Sequence, residues 1–282
     1  MAAWSVPMSL SQFHLKLFGP LDGEQVKIRS LSVSEGLSTD YLIHVRCDAE
    51  IACVDPEAVI GQRGHVEMKS DDGVKTHFAG IYTDVAYDGI VDNTHQYRFV
   101  LQPALAVLDH NARYRIFQNM SAPDIVQKIF GERGVKFKAQ IGGYPPMEYC
   151  VQYGEREDDF IKRLLEEFGI FYYFEHAPGG ETLVLCDDSA SLPNQSGAIE
   201  FLHRGDGSRR RTEISGFAEV ALVRQAKYGS TDFNFREPRN RMQLTVSQGK
   251  QQTGLLDQYF VFPGRYRSMG EGTPLAKVRA EH

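Results

Sequence analysis

The sequence predicts an α+β, β-rich chain, and three observations predict it. Period-two alternation of apolar and polar residues fills 10–108 and returns after 212. Between those regions, two stretches switch to a helical period. A basic, glycine-containing run, HRGDGSRRR at 203–211, marks a boundary before the last region. The order is therefore strands, then mixed elements, then strands again.

The first region opens with FHLKLFG, which alternates through Phe13, Leu15 and Leu17. DYLIHVRCDAE at 40–50 puts Tyr41, Ile43, Val45 and Cys47 on one face, with Leu42, His44, Arg46 and Asp48 on the other. HQYRFVLQP at 95–103 aligns Tyr97, Phe99 and Leu101 and stops at Pro103. Turn signals at Gly19-Pro20, Asp22-Gly23, Asp72-Gly73 and Asp88-Gly89 separate the runs. Many short strands joined by polar turns form a barrel or a sandwich.

In the middle region, MSAPDIVQKIFGERG carries Ser121 three residues before Asp124, the pattern of a capping box. Ile125, Val126, Ile129 and Phe130 then make an apolar face, and Gly131 is expected to close the helix. QYGEREDDFIKRLLEEFGIFYYFEH at 152–176 repeats the logic. Phe160, Ile161, Leu164, Leu165 and Phe168 form a helical stripe, and Gly169 supplies a left-handed end. Tyr149 to Tyr153 alternate before the helix, and Ile170 to Phe174 suit a strand after it. GGETLVLCDD adds another strand.

The acids Glu155, Glu157, Asp158 and Asp159 fall at the start of this helix. There the helix dipole favours negative charge by about 0.3–1 kcal/mol each. Asp158 precedes Lys162 by four and Asp159 precedes Arg163 by four, a spacing worth about 0.2–0.5 kcal/mol per exposed pair. They are expected to be solvated, and so to lack the raised pKa that acid chemistry needs. After 212, EVALVRQAKYG, TDFNFREP, RMQLTVSQG and DQYFVFPGRY read as strands. EGTPLAKVRAEH reads as the opening of a helix without its end, as in a piece of a longer chain.

Composition narrows the function. The chain has 282 residues, 42% hydrophobic, and a net charge of −6, so no global basic field draws nucleic acid. The Arg run at 209–211 lacks the interleaved aromatics that stack bases, and a lone Arg-Gly-Asp is too short to indicate adhesion. No apolar run approaches the roughly 18 residues of a membrane span. The N-terminus has no basic n-region of a secretory signal. Cys47, Cys53, Cys150 and Cys186 form no CxxC and are read as buried thiols. The nine histidines show no HExxH and no pair at metal-ligand spacing in sequence, so no metal and no cofactor is expected. A cell-wall hydrolase would need two carboxylates facing one cleft. Glu166-Glu167 and Asp187-Asp188 are sequence neighbours that diverge on a helix or a strand. With Trp4 the single tryptophan, an aromatic sugar platform has no support either. The chain is read as a structural protein, not an enzyme.

Four segments together resemble the VgrG family, the spike proteins of bacterial type VI secretion and, through them, the hubs of contractile phage tails. They are HFAGIYTDVAY (77–87), YRFVLQPALAVLDHNARYRIFQNMSAPDIVQKIF (97–130), YCVQYGEREDDFIKRLLEEFGIFYYFEH (149–176) and FPGRYRSMGEGTPLAKVRAE (262–281). The resemblance implies a tail-hub-like fold in which two barrel-like tube modules flank an α+β insertion. Here 1–108 would be the first module, 109–205 the insertion and 206–282 the incomplete start of the second. It also implies a homotrimer of pseudo-sixfold symmetry that caps the hexameric Hcp tube, carries effector or tip proteins, assembles in the bacterial cytoplasm and leaves through the type VI machine. The equivalent hub of a phage or phage-derived particle is the alternative. The family's OB-like neck and β-helical needle do not fit after His282. Two positions depart from the family: Arg156 stands where a Ser or Thr cap is usual, a loss of about 1 kcal/mol, and Ala104 and Ala106 replace bulky aromatics. Exposed aromatics among Phe171, Tyr172, Tyr173 and Phe174 are the expected subunit contact.

Overall fold

Strand and helix formers fall where the alternation and capping signals put them. In this computed structural model, residues 13–20, 26–50, 52, 54–70, 73–192, 200–201, 213–214, 219, 225–247 and 258–281 are described. In chain order the elements begin with β1 (Phe13–Phe18), β2 (Lys27–Gly36), β3 (Thr39–Ala49), α1 (Pro56–Val59), β4 (Arg63–Ser70), β5 (Lys75–Val91) and β6 (Thr94–Gln102). There follow α2 (Ala104–Val107), β7 (Ala112–Met120), α3 (Ala122–Arg133), β8 (Phe137–Gln140), β9 (Met147–Arg156), α4 (Glu157–Glu167), β10 (Phe171–Ala177) and β11 (Gly180–Cys186). The last are β12 (Glu200–Phe201), β13 (Glu213–Ile214), β14 (Lys227–Asp232), β15 (Met242–Ser247), β16 (Gln258–Val261) and α5 (Met269–Glu281). They divide into two compact units, Met1–Arg163 with Ile170–Gly216, and Leu164–Gly169 with Phe217–His282.

The first unit is built on a six-stranded antiparallel sheet, ordered β1-β4-β5-β6-β3-β2, that curls into a half-barrel. Its concave face carries the residues that the alternation selects. Tyr41, Ile43, Val45, Cys47, Tyr97, Phe99 and Leu101 are all buried in one cluster. Each such side chain contributes about 1.5–3 kcal/mol when fully removed from water. One turn signal is displaced. Asp88-Gly89 lies inside the 17-residue β5, where the register with β6 slips between Tyr87 and Gly89. A bulge uses the same residue types as a turn, because an extra residue needs the same freedom of φ. The chain reverses four residues later, at Asp92-Asn93, with φ of 49° and 61°. Positive φ at both central residues is the mark of a type I′ hairpin turn.

α3 starts with the expected box. Ser121 Oγ accepts from the Asp124 N–H at 3.3 Å, and Asp124 Oδ2 accepts from the Ser121 N–H at 3.3 Å. The helix runs past Gly131 to Arg133 and is closed by Gly134 in the left-handed region, at φ 67°. Gly131 continues the helix because Val135, not residue 132, turns back to bond the Phe130 carbonyl. Ser121→Ala is expected to lower stability by about 1 kcal/mol, read as a shift of the urea midpoint at constant slope. An unchanged midpoint would mean that solvent caps the helix equally well.

β11 is the middle strand of a three-stranded sheet, β10-β11-β8, antiparallel to β10 and parallel to β8. All seven of its residues are buried, the polar Glu181 and Thr182 included, so neither face of the strand is wet and the alternation is lost. β7 and β9 pair as a separate antiparallel ribbon, and β12 and β13 as a short parallel pair.

The expectation of solvated acids fails for two of the four at the start of α4, while Asp159 is exposed. Glu157 and Asp158 are buried, at 0% and 5% exposure. Glu155 belongs to β9, and Arg163 pairs with it rather than with Asp159. Asp158 does meet Lys162, at 3.1 Å. For Glu157 the physical reason is tertiary: arginines from β7 and α3 bring positive charge to it, so it needs no water. With Arg156 in place of a capping hydroxyl, the Glu157 N–H donates to the Asn111 carbonyl at 2.9 Å.

In the second unit, β15-β14-β16 is covered by α5. Tyr266 is buried among Tyr228, Met242, Leu244 and Ala276, its hydroxyl 2.8 Å from the Met242 carbonyl. TDFNFREP is not a strand beyond Asp232. The Asp232 carboxylate accepts from the Phe233 N–H at 2.7 Å, which ends β14, and leaves Phe233 and Phe235 exposed. The helix expected near the C-terminal end is α5. HRGDGSRRR, Cys53, Trp4 and most of EVALVRQ lie outside the described residues.

Candidate functional site

Strand alternation divides the four aromatics of β10 into two pairs. Tyr172 and Phe174 point toward the six-stranded sheet. Phe174 packs against its core and meets Tyr41 edge-on, ring centres 4.9 Å apart. Tyr172 is 2% exposed. Its hydroxyl donates to Asp40 Oδ1 at 3.3 Å, and burial, with Asp40 beside it, pushes its pKa up. Tyr172 is therefore a core residue of this chain, not an exposed one. Phe171 and Tyr173 take the opposite side of the strand and stay half-buried.

β10 is anchored at both ends of its inner face. The Ser38 N–H, in the β2–β3 turn, donates to the Tyr172 carbonyl at 2.8 Å. His176 accepts at Nδ1 from the Ala79 N–H at 3.0 Å and meets Glu35 through Nε2 at 2.7 Å. These contacts leave a shallow groove of about 310 Å³ lined by Glu35, Leu37, Thr39, Tyr41, Tyr173 and Phe174. It offers one polar end and an aromatic wall, the make-up of a contact surface rather than of a catalytic cleft.

Two buried carboxylates brace the same unit. Glu157 accepts two bonds from Arg133, at 2.7 and 2.6 Å, and lies 3.3 Å from Arg113 and 3.6 Å from Arg115. The Glu157 carboxylate holds the Arg133 pKa above its usual value. Glu181, on the buried β11, accepts from Arg63 Nη1 at 3.1 Å and from the Ala104 N–H at 3.1 Å. The small Ala104 thus opens α2 directly beside a carboxylate, and it is itself buried. Asp109, Asp158 and Asp159 bring one oxygen each within 4.8 Å. Arg156 bonds Asp109 and Lys162 bonds Asp158, so side-chain cations already answer that charge. Cys47 and Cys186 are buried and Cys150 is half-buried.

Reading the sequence for β10 missed a larger aromatic surface. On the β7–β9 ribbon, Tyr114 faces Tyr153 and Ile116 faces Val151. Tyr114, Ile116, Tyr149 and Tyr153 are 75%, 60%, 55% and 79% exposed. The signal was present, since both strands alternate with apolar residues on both faces: Phe117 buries inward while Tyr114 and Ile116 look out. Among the described residues, no helix is long and apolar enough to cross a membrane.

Comparison with known proteins matches these features to one family. The family described as the phage tail baseplate hub (GPD) matches residues 34–282. The type VI secretion system spike protein VgrG1c of Pseudomonas aeruginosa is 26% identical over 98% of this chain, which spans 39% of that protein's length. The E. coli protein c3393, described as a component of the type VI secretion system, is 25% identical with a TM-score of 0.56, covering 68% of this chain and 53% of that one. A tail protein from Neisseria meningitidis shares the fold at 14% identity, with a TM-score of 0.61 and coverage of 94% and 75%. With a hub pattern spanning most of its length and a half-barrel sheet at its start, the chain belongs to the phage tail baseplate hub family and resembles the VgrG spike proteins of type VI secretion.

Proposed function

We propose that this chain is the hub portion of a type VI secretion spike. Three copies form a ring, the ring caps an Hcp tube, and the assembly is expelled with its effector or tip protein when the sheath contracts. The observation that carries this is the match to the hub family over residues 34–282 together with the VgrG similarity over 98% of the chain. A structural role agrees with the site. The buried carboxylates Glu157 and Glu181 are saturated by arginines and amides, an arrangement that resists deformation rather than moves protons. A trimer of a twice-repeated module can meet a hexamer because closed symmetry fixes which patches meet. The exposed aromatics of the β7–β9 ribbon and the half-buried Phe171 and Tyr173 supply candidate contacts. Passage through the type VI machine needs no N-terminal signal.

Light scattering over a concentration series, followed by retention of Hcp rings on the immobilised protein, tests the proposal. The expected result is a mass near three times 31.8 kDa and retained Hcp. A monomer at every concentration that also fails to retain Hcp overturns it. Retention of a phage tail-tube protein in place of Hcp favours the tail-hub alternative.

A further inference from the structure

We propose that His65 and His77 form a binding site for a zinc-like divalent transition-metal ion on the convex face of β4 and β5. Register places them there. His65 pairs with Ala79 and Glu67 pairs with His77, so His65, Glu67 and His77 share one face while Val66 and Phe78 turn to the core. The two rings are 5.6 Å apart, centre to centre, at an angle of 60°. Two imidazoles bound to one tetrahedral zinc through nitrogens at about 2.0–2.1 Å have centres roughly 5 Å apart. The ring spacing is therefore close to that of two imidazoles on one ion.

Two further observations point the same way. His77 Nδ1 is buried and finds no hydrogen-bond partner among the described residues. Buried polar atoms are nearly always paired, so an orphaned ring nitrogen beside a second imidazole asks for a ligand. Phe18 stacks on His65, centres 4.6 Å apart and planes within 8°, which fixes that ring in place.

The third donor is Glu67, directly across from His77 and two residues along from His65. Its carboxylate now accepts from Lys75 Nζ at 3.0 Å. The Lys75 side chain is half exposed and is free to give way to water. Glu67 then turns to the ion, and water completes the shell. Two imidazoles and a carboxylate suit zinc, nickel or copper, and the small donor number rules against calcium. The ion would tie β4 to β5 beside the edge strand β1.

Zinc titration of the whole chain by calorimetry, repeated with cobalt and read by visible absorption, tests the site. The expected result is one equivalent bound, with His65→Gln and His77→Gln each weakening affinity at least tenfold and Glu67→Gln weakening it less. No binding, or equal binding by the histidine variants, overturns the proposal. Should a variant fail to fold, the imidazole resonances of the parent decide. Zinc-dependent shifts at His65 and His77 support the site, and shifts confined to other histidines overturn it.

Discussion

Glu157→Ala is expected to destabilise the first unit by roughly 2–4 kcal/mol. The carboxylate is fully buried and receives three guanidinium groups, those of Arg113, Arg115 and Arg133. Removing it leaves like charges converging on one another with nothing between them. The full penalty for orphaning a buried charge is about 3–5 kcal/mol. The lower range reflects the arginines, whose side chains are 48%, 19% and 23% exposed and so regain some water. The consequence is local as well as global, because Arg113 and Arg115 come from β7, Arg133 from α3, and Glu157 from α4. Urea unfolding followed by circular dichroism measures the loss. Glu157→Gln keeps the shape and one of the two acceptor oxygens, and should lose less. A loss below about 1 kcal/mol for the alanine variant would mean that the arginines relax into solvent and that the cluster is not a brace.

Tyr172→Ala is expected to cost about 3–5 kcal/mol, the range for truncating a large buried aromatic. The ring lies against Phe174 at 5.8 Å, within the layer that joins β10 to the six-stranded sheet. Tyr172→Phe removes only the contact with Asp40 and should cost about 1 kcal/mol. Tyr173→Ala is the complementary experiment. Its side chain lies on the other face and is half-buried, so truncation should change the melting temperature little. If Tyr173 contacts a neighbouring subunit, its alanine variant lowers trimer content while the monomer keeps its fold. Equal losses of stability from the two variants would place both rings in one core and remove Tyr173 from the candidate contact.

The concave face of the first sheet was legible because one side of each strand is dry and the other wet. Tyr41 through Cys47 and Tyr97 through Leu101 alternate cleanly, and the structure buries the expected set. α3 and α4 were legible for the same reason at a different period, with Ser121, Gly169 and the apolar stripes in the expected places. The acids at α4 were misjudged because local spacing contains no information about Arg113, Arg115 and Arg133. Those residues stand 24 to 44 positions upstream and arrive only through tertiary packing. The inward position of Tyr172 was not legible for a related reason. Nothing in a run of four aromatics says which of a strand's two faces meets another sheet. The pairing of His65 with His77 has no sequence signal, since a spacing of 12 acquires meaning only from the β4–β5 register.

The seat of Phe174 against the first sheet also sets an order of events at the ribosome. Every strand of that sheet has been made by Gln102, yet the layer that covers Tyr41 and Phe78 ends only at Ala177, about 75 residues later. At roughly 5–20 residues per second, the nascent half-barrel waits about 4–15 s with an aromatic face uncovered. Until then the face is open to a chaperone, or to the same face on a neighbouring nascent chain.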